Sequence, residues 1–117
     1  MTSQGKDSNI DDLLKAFQTT LPYFQKVLPL DGMLAVTDKE KFLYYLSGKE
    51  IDTKITAGNR LPPSGGVSRC LDTGEKIILL VPKEVYGIPV KSTTVPITYE
   101  NGNVIGAGST LQLKRHG

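Results

Sequence analysis

The sequence has no tryptophan, a single cysteine and a single histidine in 117 residues. Each scarcity removes a class of chemistry. Cys70 has no second cysteine to pair with, so no internal disulfide forms and a reducing, cytoplasmic setting is expected. One cysteine and one histidine do not make the spaced ligand sets of a zinc site. His116 is the penultimate residue, where chain order is low. Neither a metal nor a His-ligated haem is therefore expected, and no particular cofactor is indicated. A Cys70–His116 pair is available on paper, and Arg69 beside Cys70 would lower the thiol's pKa. Against that, a cysteine in such a place is usually a small apolar packing residue. No glycine pattern fits a phosphate loop, and no enzyme activity is expected. Net charge is also small, +2, which calls for neither nucleic acid nor an anionic membrane. No apolar run approaches the roughly 20 residues of a membrane span. Met1 to Ser8 is polar and lacks the apolar core of a signal peptide.

What is present is globular: 38% hydrophobic and 22% charged residues, in a length that suits one domain. The strongest local signal is a hairpin. Val90–Tyr99 and Val104–Leu113 are dense in Val, Ile and Thr, and Asn101-Gly102 between them supplies the positive φ angles of a type I′ turn. Upstream, Met33–Thr37 and Lys41–Leu46 read as two strands joined by a turn at Asp38-Lys39-Glu40. Asp31, Asp38 and Glu40 fall at strand ends, where turn chemistry explains them better than acid–base work. Lys49–Gly66 is looser, with a helical turn expected near Ile51 and Ile55, and Pro62-Pro63 and Gly65-Gly66 punctuating its end. Val67–Asp72 reads as a short helix stopped by Gly74. Lys76–Val81 is a continuous apolar run, expected to be a central or covered strand. The order predicts an α+β fold: an antiparallel sheet of about five strands with helices on one face.

The first 30 residues form a helical segment. Ser8 or Asn9 caps it, and Ile10, Leu14, Phe17, Leu21, Phe24 and Leu28 recur at steps of four and three, which places them on one stripe. Pro22 either kinks this helix or opens a second one. Two uses of the stripe stand: cover for the chain's own sheet, or a seam between two subunits with Ile10, Leu14, Phe17 and Leu21 at a homodimer interface.

Two longer runs carry a family resemblance. GMLAVTDKEKFLYYLSGKEIDTKITAG (Gly32–Gly58) and VPKEVYGIPVKSTTVPITYENGNVIGAG (Val81–Gly108) resemble the PAS-like sensor domain at the front of many bacterial methyl-accepting chemotaxis proteins and related signal transducers. The resemblance covers most of the chain beyond residue 30. It implies a PAS-like fold over 31–113, in a cytoplasmic and usually dimeric input module that passes a signal into a following helix. Family members carry a methylated helical hairpin that binds the chemotaxis kinase. This chain lacks it, and residues 114–117 would begin the output linker or be a tail.

The resemblance also implies a small-ligand pocket between the sheet and the crossover. Strand alternation nominates Tyr45, Thr93, Ala107 and Ser109 as lining, with Lys91 and Arg69 at the mouth, converging on an anion such as a carboxylate. Solvated surface cations and ordinary sheet packing account for the same residues. A filled core that only assembles subunits, or a small stand-alone binding protein, remain the alternatives to a sensor.

Overall fold

One long helix and five strands set the layers. The computed structural model describes residues 2–52, 54–100 and 102–113, with side chains from Asn9 onward. Helix α1 runs Thr2–Val27, then come β1 (Gly32–Thr37), β2 (Phe42–Leu46), α2 (Gly66–Thr73), β3 (Ile77–Val81), a short α3 (Lys83–Tyr86), β4 (Val90–Tyr99) and β5 (Asn103–Leu113). The strands form one sheet in the order β2-β1-β5-β4-β3, with every neighbour antiparallel.

Alternation gives the sheet two distinct faces. Leu34, Val36, Tyr44 and Ile97 pack against α1, where Leu14 and Leu21 are buried and Ile10, Leu13 and Phe17 lie alongside. Met33, Ala35, Phe42, Val90 and Leu111 form the opposite core together with Ile51 of the crossover. Gly66, at the start of α2, lies over this second face, beside Thr94, Ser92 and Leu79. The helices thus pack on both faces rather than one, and α1 begins at Thr2, ahead of the expected cap. Pro22 lies inside α1 rather than opening a second helix.

Two further expectations are corrected. Ile51 and Ile55 do not sit in a helical turn: the N–H groups of Lys49, Glu50 and Ile51 are taken by the Asp31 carboxylate, which holds that segment irregular. The apolar run of β3 is an edge strand, not a central one. Only one side of it is covered, since α1 lies against β1 and β2, and Ile78 and Leu80 are 49% and 61% exposed.

The C-terminal hairpin forms with Tyr99 opposite Asn103, so β5 starts one residue early. Gly102 has φ 78°, and the Asn103 N–H donates to the Glu100 carbonyl at 3.3 Å. Asn101, whose φ would decide the turn type, lies outside the described residues. So do His116 and the rest of the 114–117 tail. Gly74 ends α2 in the left-handed conformation that its place after the helix requires.

Candidate functional site

Between the Met33 face of the sheet and the crossover lies a cavity of about 620 Å³, a size that suits a small organic molecule. Its floor comes from three strands: Met33 and Ala35 of β1, Ser92 and Thr94 of β4, Ser109 and Leu111 of β5. Thr94 is buried, and its hydroxyl lies 3.2 Å from that of Ser109, so one of the two donates a hydrogen bond to the other across the β4–β5 ladder. The roof is Ile55, Asn59, Arg60 and Pro62 of the crossover with Ser64–Val67 at the start of α2. Phe42 and Tyr86 add aromatic walls.

The roof is irregular but not loose. The Phe42 N–H donates to the Asn59 carbonyl (2.8 Å), Gly58 N–H to the Phe42 carbonyl (2.7 Å) and Leu61 N–H to the Glu40 carbonyl (2.9 Å). Lys41 and Arg60 make a single antiparallel bridge. Residues 58–61 therefore extend the sheet edge beyond β2 and fix the backbone of Arg60 at the rim. A second latch is Tyr45, whose hydroxyl donates to Asp52 Oδ1 at 2.6 Å.

Of the nominated site residues, Ser109 lines this cavity. Ala107 is fully buried in the same strand. Tyr45 sits on the correct face but reaches Asp52 rather than the cavity. Lys91 and Thr93 are corrections. The face toward the crossover is the one carrying Val90, Ser92 and Thr94, so alternation sends Lys91 and Thr93 to the other side, with Val95 and Ile97. Arg69 is an exposed residue of α2 outside the lining. The cations at the cavity are Lys54 and Arg60 instead. Neither was signalled by strand periodicity, because both belong to the irregular crossover. Cys70 is buried, and burial pushes its thiol up, away from the thiolate form a nucleophile needs. Ile10, Leu14, Phe17 and Leu21, the expected interface stripe, meet the sheet of their own chain. Exposed apolar groups on α1 are Tyr23, Phe24 and Val27.

Asp31 is a junction that turn chemistry alone undersold. Its carboxylate accepts the N–H groups of Lys49 (2.6 Å), Glu50 (2.9 Å) and Ile51 (3.0 Å), and its carbonyl accepts the N–H of Leu113 at the end of β5 (3.1 Å). Gln25 of α1 donates beside it to the carbonyls of Gly32 and Ser47. One residue thereby ties the start of the crossover to the last strand and lies next to the end of α1. Gly48 is needed here, since a Cβ would come within 2.7 Å of Asp31 Oδ2. Partial burial works to raise the Asp31 carboxyl pKa, but the N–H donors and the Lys49 charge outweigh it and hold the group below the ordinary range. The stability contributed by such a carboxylate is full above the unfolded-state pKa and drains as pH falls below about 4, through the lower folded value. Asp31→Asn should therefore be less stable at neutral pH and should lose part of the acid limb. Urea melts between neutral pH and about pH 3 check this. An acid limb unchanged from the parent would remove Asp31 from the account.

Among the described residues, no group of three or more His, Cys, Asp or Glu could hold a metal ion. No helix among the described residues is long and apolar enough to cross a membrane.

No protein-family model and no solved structure matches the chain. The chain is similar to a protein of Bacillus subtilis (strain 168) provisionally named sensory transducer protein YfmS, at 30% identity over 104 residues. The match takes in 86% of the chain and 36% of the relative. The chain thus spans about a third of the length of the curated protein it matches.

Proposed function

We propose that the chain is a non-enzymatic, PAS-type signal-input domain that takes a small ligand in the cavity under the crossover. The observation that carries this reading is the similarity to a protein named as a sensory transducer, over most of the chain. The strand order β2-β1-β5-β4-β3, with the crossover laid over a cavity, supports the PAS-type part of it. A ligand under the roof would press on residues 54–60. That displacement reaches Lys49–Ile51, then the Asp31 carboxylate, then the Leu113 N–H at the end of β5. The signal leaves there, into whatever helix follows, in a cytoplasmic chemotaxis-type transducer.

The domain works as a homodimer in this reading. Support comes from apolar side chains that the single chain leaves exposed. On α1 these are Tyr23, Phe24 and Val27. On the bare half of the α1 face of the sheet they are Ile78, Leu80 and Val95. The same surface would serve a second reading, an assembly module with no ligand. Native mass spectrometry of freshly purified protein separates the two. A dimer retaining a small molecule that is released on denaturation fits the sensor. A ligand-free dimer fits the assembly module, and a ligand-free monomer contradicts both.

A further inference from the structure

We infer that the cavity selects an amphipathic monocarboxylate: an organic acid with an apolar body and a hydroxyl or carbonyl group. The inference rests on reading the cavity as the ligand site of the input domain.

Charge decides the first point. Among the described residues two cations line the cavity, Lys54 and Arg60, and no carboxylate does. Lys54 is partly occupied, with its Nζ 3.5 Å from Asp52 Oδ2. Arg60 makes no ion pair among the described residues. Its backbone is pinned through the Lys41 bridge and its neighbours' hydrogen bonds to Glu40 and Phe42. A guanidinium on a fixed backbone, with its fork free, matches the planar geometry of a carboxylate.

The opposite walls decide the rest. Met33, Ala35, Phe42 and Leu111 give an apolar surface continuous with the core. An inorganic anion would leave that surface unused, whereas the body of an organic acid would bury on it. The hydroxyls of Thr94 and Ser109 are 3.2 Å apart on the floor, and each can turn from its partner to a ligand oxygen. Head, body and polar substituent then each have a wall.

The test is isothermal titration of the whole chain at physiological salt. The panel is linear, branched and aromatic monocarboxylates of about five to nine carbons, with and without a 2-hydroxyl, each beside its primary amide, plus inorganic phosphate. The acids should bind and their amides should bind at least about tenfold more weakly, since the charge-assisted bond is lost. Arg60→Gln should cost roughly ten- to a hundredfold in affinity for the acid and leave the amide unchanged. Lys54→Gln should cost less, because Lys54 already faces Asp52. Arg69→Gln, on the exposed part of α2, is the control and should change nothing. Equal binding of acid and amide, or of the parent and Arg60→Gln, overturns the carboxylate assignment while leaving a ligand-binding sensor intact. Phosphate binding as tightly as the best acid overturns the apolar-body part. Failure of the entire panel, with a small molecule still retained in native mass spectra, overturns the ligand class alone. The same failure with nothing retained takes the sensor reading with it.

Discussion

Gly106→Ala should destabilise the protein by about 3 kcal/mol or more, at the upper end of what overpacking costs. A Cβ on Gly106 would lie 2.0 Å from the carbonyl oxygen of Thr37 and 3.1 Å from its carbonyl carbon. Both atoms are backbone, in the strand paired with β5, so no side-chain rotation relieves the overlap and β1 and β5 must part. The close approach arises from local irregularity. Ile97 pairs with Gly106 and Thr98 with Val104, which leaves Ile105 as an extra residue, a bulge next to Gly106. Gly108→Ala is the matched control two residues on, because its Cβ would meet only Val95 Cγ2 at an ordinary 3.8 Å. Urea denaturation of the pair should separate them widely. Equal stability of the two variants would mean that the β1–β5 approach is not fixed as described.

Leu14→Glu should likewise unfold the sheet domain, not merely dissociate subunits. Leu14 is 6% exposed and packs in one cluster with Leu21, Val36 and Ile97. Truncating such a leucine costs roughly 2–5 kcal/mol, and placing a carboxylate there adds the cost of an unpaired buried charge. The contrast is Phe24→Glu on the same helix. Phe24 is 61% exposed, so the fold should tolerate its loss within about 0.5 kcal/mol, while a dimer built on that surface should come apart. Circular dichroism with sedimentation velocity reads both effects at once. A Leu14→Glu protein that keeps its circular dichroism and becomes monomeric would make α1 a detachable seam.

The sequence made the layers legible because periodicity reports burial. The four-three stripe of α1 names Leu14 and Leu21, and the hairpin around Gly102 has the expected strands, with only the start of β5 one residue earlier. Periodicity failed where burial is decided by elements far away in the chain. Nothing within Lys76–Val81 tells that α1 stops short of it, so a continuous apolar run looked covered and is an edge. The same limit misplaced the cations. Alternation alone does not tell which face of β4 turns to the cavity, and Lys91 lies on the far face because the crossover occupies the other side. Lys54 and Arg60 sit in a segment with no period at all. Their position follows from hydrogen bonds to the β2 edge and from the Asp31 carboxylate that diverts residues 49–51 from a helix. A single aspartate before a glycine, 18 to 20 residues from its partners, leaves no local signature.

The central claim is that a molecule under the crossover is felt at the end of β5. Amide chemical-shift mapping on isotopically labelled chain, titrated with a mixed small-molecule library, measures it directly. The account predicts that any binder perturbs two groups of amides together: Ser92, Thr94 and Ser109 on the cavity floor, and Lys49, Glu50, Ile51 and Leu113 around Asp31. In Asp31→Asn the floor should still respond and the Leu113 response should shrink. Binders that perturb only the bare Ile78–Leu80 surface, or a floor response that leaves Leu113 unmoved in the parent, would contradict it.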